Sequence, residues 1–428
     1  MTSPDSTPNP AETLRDLFLA GVGAADPFAA VQHALSNQRA PDPARGRLHI
    51  IAFGKAANQM MRAALMHFQP QLPATAIIVT NYENAAPIAG CTCFAAGHPV
   101  PDENGLAAAQ AVMDAVQDLG AEDQVLCLIS GGGSALMPAP APGVSLADKI
   151  ALNKLLLAQG FDIETTNLVR QQVSTLKGGG LARLAHPARV RALILSDVIP
   201  DNVSAIASGP TASPLGTAEQ AIAVLRNKGC WAALPASIKT RLTSQAAQDD
   251  APRSHAVNQI VGSNSQSLAA IEKAARAQGL DGAIVSGHLL GDVAEAANEV
   301  ISGARDPRNA GRDLLIWGGE TTVTLTGTGR GGRNQELALR VALRADEIAG
   351  NWVFLSGGTD GRDGPTDAAG GCVDPGTARK IALAGLDAPA LLANNDSHAA
   401  LAAADALLHT GATGTNVADV QMLLRKRD

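Results

Sequence analysis

The stretch LHIIAFGKAANQMMRAALMHF, residues 48–68, decides how the rest of the chain is read. Six residues form an almost unbroken apolar run, Gly54 and Lys55 follow at once, and apolar residues then recur at helical spacing. An apolar run that ends in glycine and leads straight into an amphipathic helix is a unit of a parallel sheet covered on both faces. The rhythm continues through AIIVT (76–80), VLCLI (125–129) and ALILS (192–196), with a helical pattern over 103–119. Residues 12–36 read as two short helices, the second opened by Asp26 and Pro27 in the N-cap and N1 positions. An α/β fold follows, with a Rossmann-like three-layer N-terminal domain over 11–255 after a disordered start at 1–10.

The polar stretch SQAAQDDAPRSHAVN (244–258) reads as a linker or long exposed loop. Beyond it the pattern resumes with NQIVG (258–262), a helix from Ser263 or Asn264, GAIVS (282–286), a helix at 289–303, DLLIW (313–317) and WVFLS (352–356). TTVTLT (321–326) alternates threonine with apolar residues, the pattern of an antiparallel or edge strand with one wet face. Helices are expected near 377–385, 397–408 and 416–425. Residues 256–428 thus form a second, smaller α/β domain with a mixed sheet.

Composition narrows the function. The chain has 428 residues, more than one core usually serves, and 33 basic against 40 acidic residues, a net charge of −7. No general affinity for nucleic acid or anionic membrane is implied, so a bound anion must be met locally. Aromatics are only 3%, which predicts a core of Ala, Leu, Val and Ile. The five cysteines fit no disulfide ladder or zinc spacing, and Cys91 and Cys93 are expected as small core residues in a reducing compartment. The polar N-terminus is no signal peptide and no apolar run suits a membrane span, so the expected location is cytoplasmic.

In sheets of this kind, ligands sit outside the carboxyl ends of the strands, and the informative residues follow the apolar runs. Gly54-Lys55 opens a helix, where free amides and the dipole favour an anion and Lys55 adds a point charge. Ser130-Gly131-Gly132-Gly133-Ser134 has the form of a phosphate or carboxylate cradle, although no Walker A motif occurs. Lys177, ahead of a second glycine triplet, either reaches an anion or is merely exposed. Asp197 ends a strand, where a carboxylate holds Mg²⁺, takes a proton or caps the next helix. Gly327, Gly329 and Gly332 satisfy G-x-G-x-x-G, but the strand before them is not of the buried kind, and Arg330 and Arg333 crowd the loop. Two arginines at such a place suit phosphoryl or carboxylate groups, with Glu320 a further polar candidate. Asp360, Asp363 and Asp367 cluster in a loop that does not match an EF-hand and suits a water-rich Mg²⁺. Asn395, Asp396 and Ser397 read as a helix cap, and His98 is open to either a structural or a functional role.

Glycine-rich cradles, a few cations and clustered aspartates across two α/β halves describe a site for polyphosphate and Mg²⁺, expected in the cleft between the domains. The chain resembles the class II glycerate kinases, or glycerate 2-kinases, whose C-terminal part is the MOFRL domain. The resemblance is carried by FGKAA (53–57), GHPVPDENG (97–105), LISGGGSAL (128–136), LKGGGLA (176–182), LSDVIPDNVSAIASGPT (195–211), GGETTVTLTGTGRGGRNQEL (318–337), SGGTDGRDGPTDAAGG (356–371) and TGATGTNVADV (410–420). It implies transfer of the ATP γ-phosphate to the 2-hydroxyl of D-glycerate with Mg²⁺. It also implies that Lys55 and Arg333 are the key active-site cations. Ser130 to Ser134, Lys177, Glu320 and Arg330 are then binding residues, and Asp197 and Asp360 the metal candidates, with Asp363 and Asp367 as alternates. The alternative is a hydroxypyruvate reductase using NAD(P)H, supported by the G-x-G-x-x-G match. Oligomeric state is left open, a homo-oligomer included.

Overall fold

The computed structural model describes residues 9–246 and 256–425. Most of the expected disordered start and most of the polar stretch at 244–258 lie outside those residues. The chain divides into two compact units, Pro27–Val261 and a second made of residues up to Asp26 together with Gly262 onward.

The first unit is built on β1 (Leu48–Phe53), β2 (Thr75–Asn81), β3 (Thr92–Ala96), β4 (Gln124–Ile129), β5 (Arg189–Leu195) and β6 (Val257–Gly262), in the order β3-β2-β1-β4-β5-β6. Strands β1 to β5 pair in parallel. This is the Rossmann order, and the chain reverses its direction of travel across the sheet where β1 meets β4. Ile51, Phe53, Val79, Cys127 and Ile129 from the strands pack with Ala108, Val112 and Val116 of the helix Glu103–Val116. β3 is an edge strand, and this corrects the expectation for Cys93, in it, and Cys91, just before it: Cys93 is exposed and Cys91 half-buried, while Cys127 and Cys230 are buried. An edge strand has a neighbour on one side only, at the rim of the sheet, which alternation alone cannot reveal.

The second sheet is mixed, as expected. Its strands are β7 (Gly282–Asp292), β8 (Leu314–Thr322), β9 (Trp352–Gly358), β10 (Gly370–Val373), β11 (Leu407–Leu408) and β12 (Asp419–Arg425), ordered β11-β10-β9-β12-β8-β7. β7 is parallel to β8, and the other pairings are antiparallel. Leu315, Trp317, Phe354 and Leu423 face one side, while Leu314, Ile316, Leu355 and Met422 face the other. The scarce aromatics are concentrated inside, with Trp317, Trp352, Phe18, Phe53 and Phe354 among the largest fully buried side chains.

Several expectations change here; the helix expected at 289–303 begins at Val293, after β7, and the one expected at 397–408 ends at Ala403, before β11. Residues 419–425 are a central strand, not a helix, because a strand buried on both faces loses its alternation and DVQMLLR reads equally as a helix. TTVTLT contributes only Thr321 and Thr322 to β8; the hydroxyls of Thr324 and Thr326 bond to Asp292 and to Ala393 and Asn395 instead of lining a wet strand face. The division at 255/256 also differs, since β6 belongs to the first sheet and the helix Pro10–Ala24 to the second unit. Leu14, Leu17, Phe18 and Val22 give that helix an apolar face, which packs on Leu268, Ile271, Leu355 and Met422. Helical spacing reveals such a face but not its partner.

Candidate active site

In the first unit the candidates gather at the carboxyl ends of β1, β4 and β5. Gly54 has φ +119°, and a Cβ there would lie 2.2 Å from Ser130 Oγ, so the turn after β1 admits only glycine without displacement. Lys55 N donates to the Gly131 carbonyl at 2.9 Å and Ala56 N to Ser130 Oγ at 3.0 Å, which zips the turn after β1 to the turn after β4. Lys55 is thereby held beside the glycine triplet: a Cβ on Gly132 would lie 3.4 Å from Lys55 Cγ and 3.1 Å from His98 Cδ2. On the other flank, a Cβ on Gly131 would lie 2.1 Å from Asp197 Oδ2.

The amides of Gly131, Gly132, Gly133 and Ser134 donate to no group among the described residues. The two flanking hydroxyls have partners within the chain. Ser130 Oγ accepts from Ala56 N, and Ser134 Oγ meets Lys177 Nζ at 2.8 Å and Ser208 Oγ at 2.9 Å. Lys177 is neither exposed nor free to reach out, being buried on Ser134. Burial pushes the Asp197 carboxyl up and Lys55 pulls it down; burial and then Lys55 lower the His98 imidazole, keeping it neutral near pH 7.

In the second unit Arg333 is the first residue of the helix Arg333–Ala342. Its Nε and Nη2 donate to the two carboxylate oxygens of Asp419 at 2.6 and 2.9 Å, and Nη1 lies 3.0 Å from Glu320 Oε1. A guanidinium has five N–H donors, so one on each terminal nitrogen remains. Asp419 and Glu320 hold Arg333 protonated against its burial, while burial raises the Asp419 carboxyl against the pull of Arg333. Asp419 was missed in the sequence because it stands in the run read as a helix and 86 residues from its partner.

Asp360 approaches Asp419: a Cβ on Gly358 would lie 3.3 Å from Asp360 Oδ1 and 3.5 Å from Asp419 Oδ1. Asp360 Oδ1 accepts from Arg362 N. Asp363 instead accepts from the amides of Asn334 and Gln335 and from both their side chains, which commits it to the start of the helix. Asp367 is exposed, 3.5 Å from His398. Of the two alternates, Asp363 has both carboxylate oxygens engaged within the chain.

Glycines 327–332 are held by a device that the sequence reading took for a helix cap. Asn395 Oδ1 accepts from the amides of Thr326 and Gly327, Asn394 Oδ1 from Thr328, the Asn394 carbonyl from Gly329, and Asp396 Oδ1 from Arg330. Asp396 makes no side-chain bond to its own helix. Asn395 Nδ2 also donates to Glu336 of the Arg333 helix at 3.1 Å.

A Mg²⁺ ion asks for one or two carboxylates, with water and phosphate oxygens completing its octahedron. Asp197 and Asp360 fit that donor chemistry, each with a carboxylate oxygen to which no group among the described residues donates. No three His, Cys, Asp or Glu residues among those described form a ready-made cage. No helix among them is long and apolar enough to cross a membrane.

Residues 13–243 match a domain of unknown function, DUF4147, and residues 313–419 match the MOFRL family. A D-glycerate 2-kinase of Thermotoga maritima is 39% identical over 87% of this chain and 89% of its own. An Agrobacterium vitis protein, provisionally named a hydroxypyruvate reductase, is 38% identical over 96% and 94%. The crystal structure of a glycerate kinase from Thermotoga maritima superposes with a TM-score of 0.87 at 36% identity, covering 97% of this chain and 99% of that one. A family match in each unit, and a solved kinase that follows the chain almost throughout, establish that this protein belongs to the glycerate kinase family.

Proposed function

We propose that the chain transfers the γ-phosphate of ATP to the 2-hydroxyl of D-glycerate, releasing ADP and 2-phospho-D-glycerate. The observation that carries the reading is the group at the β1/β4 switch point: Lys55, four consecutive amides without an acceptor, and Asp197. Such a group binds an oxyanion and neutralises charge that builds on it, which is most of what phosphoryl transfer asks of a protein. As the bond from the 2-hydroxyl oxygen to the γ-phosphorus forms and the bond to the bridging oxygen of ADP breaks, the hydroxyl proton must leave. Asp197 and Asp360 are the carboxylates that could receive it. Either would also hold Mg²⁺, which supplies charge neutralisation on phosphate oxygens when bound. Arg333, with two donors uncommitted among the described residues, is the second unit's candidate for engaging a phosphoryl group or the glycerate carboxylate.

The reductase reading loses its support. Dinucleotide binding at G-x-G-x-x-G needs the loop's backbone to meet the pyrophosphate, and the amides from Thr326 to Arg330 are all engaged within the chain. The test is purified protein with D-glycerate and MgATP, reading ADP release and the position of the phosphate by phosphorus NMR, beside hydroxypyruvate with NADH or NADPH. Formation of 2-phosphoglycerate supports the proposal; oxidation of NADH or NADPH alone overturns it.

A further inference from the structure

Two lysines lie inside the first unit where the mechanism above uses neither. Lys149, on the helix Leu146–Ala158, and Lys177, in the turn before the helix Gly180–Leu184, are each 4% exposed. Lys177 Nζ donates to the Ser134 carbonyl at 2.6 Å and to its hydroxyl at 2.8 Å. Lys149 Nζ donates to the Pro138 carbonyl and, at 3.4 Å, to that of Val173. Both amines thus end on the segment that continues the glycine triplet, and neither ends on a carboxylate.

The surrounding charge is of one sign. Arg170, on the helix Ile163–Gln172, bears on both amines, and Lys149 bears on Lys177. Around them stand only neutral groups: Ser134, Ser208 and Asn167 in a hydrogen-bonded chain, and Ser174 on the Pro138 carbonyl. The acids of the packed helices bond elsewhere, Asp148 to Ser145, Asp162 to Thr165 and Glu164 to Asn202. Burial pushes Lys149 down to about 7 and Lys177 well below the ordinary lysine range.

A buried ammonium needs a negative partner, and no carboxylate among the described residues bonds to either amine. The one adjoining place built to take an anion is the row of unengaged amides from Gly131 to Ser134. We infer that Lys177 and Lys149 form an internal counter-charge for an oxyanion seated on that loop, and that the pair takes up a proton when the anion binds. This rests on the loop being the anion cradle of the proposed kinase. Both lysines act through Ser134 and Pro138 and are positioning residues. The oxyanion is a nucleotide phosphate or the glycerate carboxylate.

The experiment is titration calorimetry of the full chain with a non-hydrolysable ATP analogue and, separately, with D-glycerate. Each titration is run in buffers of different ionisation enthalpy from about pH 6 to 9, a range that spans the lowered Lys149. Net proton uptake is expected with one ligand above about pH 7, where Lys149 is largely neutral before the anion binds. The ligand that shows it is the one on the loop. Lys149→Met and Lys177→Met are each expected to abolish the uptake and weaken that ligand at least about tenfold, with the other ligand unchanged. Absence of uptake with both ligands in the wild-type chain overturns the inference, whether or not the variants fold. If uptake occurs but glycerate is not phosphorylated, the kinase reading falls and the counter-charge stands. Turnover without uptake at any pH does the reverse.

Discussion

The chain carries two glycine-rich loops that look alike in sequence and are built for opposite ends. At 131–134 the amides are left without acceptors, and the missing side chains make room for Asp197, His98 and Phe53. At 326–332 the amides from Thr326 to Arg330 are taken by residues 394–396, and the missing side chains make room for those residues themselves. A Cβ on Gly329 would lie 2.4 Å from Asp396 Cβ, and one on Gly327 2.3 Å from the Asn394 carbonyl. Glycine permits close approach, but sequence does not say whether a ligand or another part of the chain approaches. The first loop is therefore expected to govern chemistry and the second to govern the stability and aim of the helix that carries Arg333.

That contrast can be broken most directly at the cations. Lys55→Ala is expected to lower kcat/KM by about 10³-fold or more in an ADP-release assay, with the circular dichroism spectrum retained. Arg333→Lys, which loses the paired contact with Asp419, is expected to lose about 10²-fold or more. Full turnover in either variant would remove that cation from the mechanism. Asn395→Ala leaves the amides of Thr326 and Gly327 without their acceptor and is expected to cost about 2–3 kcal/mol in urea unfolding, with a smaller loss of kcat. Paired glycine variants sharpen the comparison: Gly131→Ala should reduce activity more than stability, and Gly329→Ala should destabilise by about 1–3 kcal/mol. If both behave alike, the two loops are not distinct in kind.

The smallest effect concerns pH. Burial raises Asp363 from 3.8 to about 6 despite the bonds it accepts. The folded state therefore holds this proton more tightly than the unfolded chain. Its contribution to stability is full below about pH 4 and declines as pH rises through about 6. Asp363→Asn should flatten that decline in a series of thermal melts, and an unchanged slope would count against the assignment.

Much of the first unit was legible because parallel strands announce their carboxyl ends: Lys55, Gly131 to Gly133 and Asp197 each follow an apolar run directly. The second unit hid its parts for a physical reason. Asp419 meets Arg333 across 86 residues, and Asn395 meets Thr326 across 69, so nothing near either residue signals the contact. Lys177 was visible as a lysine beside glycines, but only packing reveals that it is buried and bonded to Ser134. The threonines of TTVTLT mimicked a strand because their hydroxyls make side-chain bonds that alternation cannot distinguish from a solvated face.

The position of β12 bears on how the protein is made. This strand lies between β9 and β8, and it carries the aspartate that grips Arg333. The helix Pro10–Ala24, which precedes the whole first unit in the chain, packs on the same sheet. During synthesis the early helix must wait for a strand translated almost four hundred residues later, while the unit Pro27–Val261 has its whole sequence in hand much sooner. A nascent chain halted before residue 419 would hold the complete sequence of the first unit and a second sheet lacking its central strand.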